Sequence, residues 1–167
     1  MAAGATYTPI ATTTLSSGAT SVTFSSISQS YTDLVLVCSA QGTNATDTLT
    51  LVFNGDTANN YSVTRLSGNG SSAGSQRYSN QPSMAIADYM PNSTYFFPVI
   101  AQIQNYSSGS VYKSVLSRTN AADNWVAAIV GMWRSTTAIT SISVREAGGI
   151  VNLKSGSTFT LYGIAAA

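Results

Sequence analysis

The sequence predicts an all-β fold: a single antiparallel β-sandwich, jelly-roll-like, with about eight to ten short strands and little or no helix. Three observations carry this. Apolar and polar residues alternate with period two along most of the chain, while helical spacing is almost absent. Gly, Asn, Asp and Ser punctuate these runs at short intervals, as turns require. The 167 residues, 44% of them hydrophobic, are enough for one domain with a real core.

In chain order, residues 1–10 read as an N-terminal arm and residues 11–167 as the sandwich. Val22 and Phe24 point one way and Ser21, Thr23 and Ser25 the other. Leu34-Val35-Leu36-Val37 is an unbroken apolar run, the pattern of a strand covered on both faces. Leu49, Leu51 and Phe53 alternate with Thr48 and Thr50. Asn54-Gly55-Asp56 then interrupts, and Tyr61-Ser62-Val63-Thr64 resumes, so two paired strands joined by a hairpin loop of more than two residues are expected. Residues 67–81 are rich in Gly, Ser, Asn and Gln, offer little to bury, and read as a long surface loop.

Strands resume at Met84–Asp88 and around Phe96–Gln104, where Pro98 marks an edge or an irregular start. Val111–Leu116 follows the turn Ser107-Ser108-Gly109. Trp125–Trp133 is almost wholly apolar, and its length and β-branched content favour a central strand over a short helix. Ile139–Arg145 and Ser157–Ile164 complete the set.

Charge narrows the function classes. Only 8% of residues are charged and none is His, against about 25% charged in an average soluble domain. The commonest general base and metal ligand is therefore missing, which argues against an enzyme. Five Arg and two Lys are scattered and the net charge is +1, so there is no stripe to track phosphates and nucleic-acid binding is not expected. The N-terminus lacks the basic and apolar blocks of a signal peptide. No stretch approaches the roughly 18 apolar residues of a membrane helix. Cys38, the only cysteine, lies in phase with Leu34 and Leu36 and reads as a small buried hydrophobe.

Several residue groups are weighed as sites. Asn54, Asp56, Asn59 and Asn60 carry oxygen ligands but lack the spacing of a calcium loop, so turn chemistry explains them better. Asp33, Asp88, Asp123 and Glu146 are carboxylates near strand ends, yet no spacing brings a pair together for glycoside hydrolysis. No cofactor or metal is expected. Arg77, Tyr78, Tyr89, Tyr95 and Tyr106 fall in or beside expected loops and are candidate contacts for a glycan or partner, because exposed rings stack on sugar faces. Trp125 and Trp133 are expected to be buried.

Three phrases bear a family likeness. They are Phe24-Ser25-Ser26-Ile27 with Tyr31-Thr32-Asp33-Leu34; Phe53-Asn54-Gly55-Asp56 with Asn60-Tyr61-Ser62; and Gly131-Met132-Trp133 continuing through Ile139–Ile142 to Gly156–Ile164. Together they resemble small virion proteins of tailed bacteriophages, especially phages of aquatic bacteria, which occur as capsid decoration (cement) proteins and as tail-fibre modules. The resemblance implies a β-sandwich that assembles as a homotrimer on the virion surface, made in the host cytoplasm, with the major capsid protein as its partner. It brings no catalytic residues. On this reading Ala2, Thr6, Tyr7 and Pro9 of the arm are candidate capsid or subunit contacts. The alternative is a tail-fibre or receptor-binding module that recognises host surface glycan. A charge-poor surface suits either role, since it loses little when salt or pH changes, and association without charges avoids their desolvation cost.

Overall fold

A computed structural model describes residues 6–43, 47–90, 95–121, 125–148 and 153–165, with backbone alone at Asp47, Tyr89 and Met90. Among the described residues there are twelve strands and no helix. They are β1 (Tyr7–Thr14), β2 (Ser21–Phe24), β3 (Asp33–Ala40), β4 (Asp47–Phe53), β5 (Tyr61–Gly68) and β6 (Ala73–Gln81). The second half holds β7 (Met84–Met90), β8 (Phe97–Gln104), β9 (Lys113–Ala121), β10 (Trp125–Trp133), β11 (Ile142–Glu146) and β12 (Thr158–Ile164). An eight-stranded sheet runs in the order β1-β12-β3-β8-β9-β10-β5-β6, and a four-stranded sheet in the order β2-β11-β4-β7. Every pairing is antiparallel.

The strand order is that of a jelly roll. In that fold one sheet joins the first, eighth, third and sixth strands, and the other joins the second, seventh, fourth and fifth. Here β2-β11-β4-β7 is the first of these sheets. The second is β3, then the meander β8-β9-β10, then β5 and β6. The meander fills a single strand position, and because it holds an odd number of strands the antiparallel alternation survives. β12 and β1 extend the same sheet beyond β3.

The core lies between the sheets and is built by alternation. Along β8, Phe97, Val99, Ala101 and Ile103 are buried while the residues between them face out. β3 contributes Leu34, Leu36 and Cys38, and the small sheet contributes Leu49, Leu51, Phe53, Ile142 and Val144. Burial of the Cys38 thiol pushes its pKa far above the ordinary range. Two glycines let rings and chains approach: a Cβ on Gly131 would meet Met84 at 2.4 Å, and one on Gly163 would meet the Tyr31 ring at 2.4 Å. Two polar side chains of β9 are matched inside. Lys113, fully buried on β9, donates to the carbonyls of Ser108, Val111 and Thr136 at 2.7, 2.8 and 3.1 Å. Ser117 on β9 donates across the core to the Ile86 carbonyl of β7.

Four expectations need correction. The described residues form twelve strands, not eight to ten, because β1 and β6 carry little apolar signal. The arm ends earlier than residue 10: β1 starts at Tyr7 and pairs with β12 from Tyr7↔Ile164 to Thr14↔Thr158. Residues 67–81 are not a loop; they finish β5 and form β6, joined by a tight turn in which Asn69 Oδ1 accepts from the Ser71 and Ser72 amides. Finally, β4 and β5 are not paired, since β4 lies in the small sheet and β5 in the large one.

The connection between those two strands is a corner that joins the sheets. Asn54 and Gly55 take positive φ angles of 53° and 70°, conformations Asn and Gly adopt most readily. Asn54 then binds the segment leading into β11: its Nδ2 donates to the Ala138 carbonyl at 2.8 Å, and its Oδ1 accepts from the Thr140 and Ser141 amides at 2.8 and 3.1 Å. Asp56 Oδ2 accepts from Trp133 Nε1 of β10 at 2.7 Å and from Asn60 Nδ2 at 2.9 Å, while Oδ1 accepts from the Ala58 amide at 2.9 Å. Behind this lie Phe53, Tyr61 and Trp133, with ring centroids 5.5 to 6.3 Å apart. Burial pushes the Tyr61 hydroxyl up to about 12.

Partial burial alone would raise the Asp56 pKa, but hydrogen bonds from Asn60, Trp133 and Ala58 outweigh it and hold the carboxyl below its usual range. Its folded pKa is thus below its unfolded one, so its contribution to stability is complete above the unfolded value and lost as pH falls through the folded one. Trp133 fluorescence should report a loss of stability below about pH 4. In Asp56→Ala that acid limb should be blunted, with stability at pH 7 lower by about 2 kcal/mol. Gly163→Ala should cost about 1–3 kcal/mol in urea unfolding through its clash with Tyr31. Gly74→Ala, which meets nothing within 4 Å, should stay within about 0.5 kcal/mol.

Candidate functional site

The alternation that fills the core also fixes what faces out of the large sheet. Leu34, Val99, Val115, Ile129 and Val63 point in, so their neighbours point away from the small sheet. Strand register then aligns these outer residues in rows. One row runs Val37, Ile100, Arg118, Ala128 and Leu66 across β3, β8, β9, β10 and β5. The next holds Gln102, Leu116, Val130 and Thr64, and Val126 and Met132 extend it along β10.

This outer face is apolar and uncovered. Leu66, Val126 and Val130 are 63, 57 and 55% exposed, and Val37, Ile100, Leu116 and Met132 are also open. Arg118 is the one charged side chain in these rows as far as β5, and Arg77 on β6 continues the second row; Pro98, Ile100, Arg118, Val126 and Ala128 frame a shallow hollow of about 390 Å³. At the β1 end Tyr7 meets Tyr162 edge to face at 6.1 Å, and Thr12 and Thr14 pair through their hydroxyls with Thr160 and Thr158. Of the arm residues singled out from the sequence, Tyr7 and Pro9 therefore belong to this same face. Thr6 precedes it and is exposed, and Ala2 lies outside the described residues.

A second feature sits at the opposite edge. β6 is exposed along its length and reaches past the small sheet. Its register with β5 sets Arg77 opposite Thr64 on the outer side, and Gln76 and Tyr78 opposite Arg65 and Val63 on the inner side. Beneath lies a cleft of about 240 Å³ between β6 and the edge strand β7, lined by Thr48, Val63, Tyr78, Gln81, Ser83 and Asp88 among others. Tyr78 donates to Gln76 Oε1 at 2.7 Å, and Arg65 Nη2 donates to the same oxygen. Arg65 Nη1 meets Asp88 Oδ2 at 2.6 Å, with each side chain 9% exposed, and the Arg65 guanidinium stands 5.9 Å from the Trp125 ring.

The remaining sequence candidates are dispersed. Tyr78 and Arg77 are strand residues, not loop residues. Tyr89 lies in β7 and Tyr95 is exposed. Tyr106 is no loop contact: it is fully buried, accepts from the Tyr31 amide at 3.2 Å and donates to the Ser28 carbonyl. Burial raises its pKa, against the hydrogen bond from Tyr31. Asp33 accepts from the Asn105 amide, Glu146 from the Gly148 amide, and Asp88 pairs with Arg65. These three carboxylates thus serve separate local contacts, and Asp123 lies outside the described residues. Among the described residues no three Asp, Glu, Cys or His side chains gather at metal-ligand spacing.

No protein-family model matches the chain, and no curated protein matches it significantly. The fold, the open face and the cleft therefore carry the functional reading.

The division of the tyrosines is measurable. Tyr106→Ala should cost about 3–5 kcal/mol in denaturant unfolding, while Tyr78→Ala should change stability by no more than about 0.5 kcal/mol.

Proposed function

We propose that this protein is a structural component of a bacteriophage virion, a capsid decoration protein that self-associates through the outer face of its eight-stranded sheet and binds the outside of the capsid shell. The observation that carries this is the width and apolarity of that face. Eight strands of seven to nine residues, at about 4.8 Å between strands and about 3.4 Å per residue, cover roughly 1,000 Å². A stable interface takes about 800 Å² from each partner. The exposed apolar side chains are contiguous, and patches of this extent mark interaction surfaces.

A second copy of this chain is the fitting occupant. The face presents neutral hydroxyls and aliphatic groups around two guanidiniums, Arg118 and, at the β6 edge, Arg77, so copies meet without stacking like charges if both stay off the symmetry axis. The sequence points the same way. Leu34–Val37 reads as a strand covered on both faces and Trp125–Trp133 as an almost wholly apolar central strand, yet the small sheet covers only one side of them. Val37, Val126 and Val130 await the second layer, and another subunit supplies it. The threefold symmetry and the capsid as partner rest on the resemblance to phage virion proteins. The low charge fits a particle that must hold together across changes of salt and pH.

By light scattering after size exclusion the protein should elute at three times the 17.3 kDa chain mass. The double substitution Val126→Asp and Val130→Asp should yield a monomer whose near-ultraviolet circular dichroism is unchanged. A wild-type monomer at micromolar concentration would overturn the assembly reading. Gold-tagged antibody should label virion heads; label confined to the tail end would replace decoration with the tail-fibre reading, and no label on any particle would exclude both.

A further inference from the structure

We propose that the cleft between β6 and β7 is a binding site for a neutral saccharide, one pyranose ring at a time. The inference goes beyond the assembly reading and does not depend on it, because the site lies within one chain and faces away from the outer side of the sheet.

The first support is the composition of the cleft. One wall is the Tyr78 ring, 42% exposed and held in place by its hydroxyl bond to Gln76. An aromatic face fixed beside open space stacks on the C–H face of a sugar. The other walls carry Thr48, Gln81, Ser83 and Asp88, which offer hydroxyl, amide and carboxylate groups to sugar hydroxyls. Val63 supplies an apolar patch at the base. A few directional polar groups around an apolar surface are what small-ligand sites share.

The second support is a fixed carboxylate at the wall. Arg65 and Asp88 are each more than nine-tenths buried. Arg65 Nη1 meets Asp88 Oδ2 at 2.6 Å, which keeps in one position the acidic side chain that lines the cleft. A sugar hydroxyl is both donor and acceptor, so it can serve the carboxylate and the adjoining amides at once. Asp88 is the one charged side chain among the lining residues, and Arg65 behind it balances that charge, which selects an uncharged ligand. The volume, about 240 Å³, falls below the roughly 300–1,000 Å³ of pockets for drug-sized molecules. It admits a single ring and leaves a longer glycan chain to run along the exposed strand β6.

Nuclear magnetic resonance titration of the intact protein with neutral hexoses, deoxyhexoses and N-acetylhexosamines tests this. At least one sugar should shift the backbone amides of Tyr78, Ser83 and Asp88 saturably, with a dissociation constant of about 0.1–10 mM. Tyr78→Ala and Gln81→Ala, both at exposed or half-exposed positions, should each weaken binding at least tenfold and leave the melting temperature unchanged. Asp88→Asn is unsuited as the main test, because it strips buried Arg65 of its counter-charge. The proposal is overturned if no sugar in the panel gives saturable shifts up to about 100 mM, a decade above the weaker end of that range. It is also overturned if the shifts persist undiminished in folded Tyr78→Ala. The oligomeric state is read separately, so neither result decides the assembly reading.

Discussion

The hydrogen bond between Asp56 and the Trp133 indole is the contact on which the sandwich depends. β10 ends at Trp133 in the large sheet, while Asp56 lies on the crossover from the small sheet to the large one. Their 2.7 Å bond therefore fixes where the chain leaves one layer and enters the other. Hydrogen bonds to a charged acceptor are about twice as strong as neutral ones. This one is supported by stacked rings, each pair adding about 0.5–1.5 kcal/mol beyond the area it buries. Tyr61 closes the arrangement: its hydroxyl accepts from the Phe53 amide and donates to the Asp56 carbonyl, both at 3.0 Å. With the corner set, β5 must begin beside β10, and the position of β6 and its cleft follows.

Much of this fold is legible in the sequence because most strands bury one face. Val22 with Phe24, Leu49 with Leu51, and Phe159 with Leu161 announce their strands by alternation. β6 is silent for the same reason. Its residues are exposed almost throughout, so its pairing with β5 rests on backbone bonds that leave no trace in side-chain pattern. The corner misleads in another way. Asn54-Gly55 signals a local turn correctly, but which sheet the next strand joins is decided by Trp133, Ala138 and Thr140, all distant in sequence. β9 conceals its facing altogether, because its inner side carries Lys113, Ser117 and Thr119 and looks no more apolar than its outer side.

The two candidate sites differ in legibility for related reasons. The outer face is foreshadowed by apolar runs that are too long for a strand covered once. Leu34–Val37 reads as doubly covered and Trp125–Trp133 as almost wholly apolar, patterns that a second cover from another molecule would satisfy. The cleft is foreshadowed by Tyr78 alone. Arg65 and Asp88 are 23 positions apart, on different sheets, and no spacing rule joins them. Tyr106 shows the opposite failure. It follows β8 in a turn rich in Ser and Gly, where exposure is the natural expectation, yet it is drawn inward because Ser28 and Tyr31 present backbone partners to its hydroxyl.

The alternation of β6 from Ala73 to Tyr78, ahead of the bulge that brings Gln81 opposite Tyr61, makes the two proposed uses compatible. Arg77 and Ser75 lie on the side shared with Leu66, Val130 and the assembly face. Gln76 and Tyr78, one residue away on either side, lie on the side of Arg65, Val63 and the cleft. Subunits that stack through the outer face leave the inner side of β6 uncovered, because the small sheet ends at β7 before reaching it. A one-residue slip of β6 against β5 would exchange the two sets and abolish both surfaces. The register is held against such a slip by the tight turn at Asn69 on one side and by Arg65 gripping Gln76 and Asp88 on the other. The buried charge pair is an expensive way to gain stability, but it fixes which side of this strand faces the cleft and which faces a neighbour.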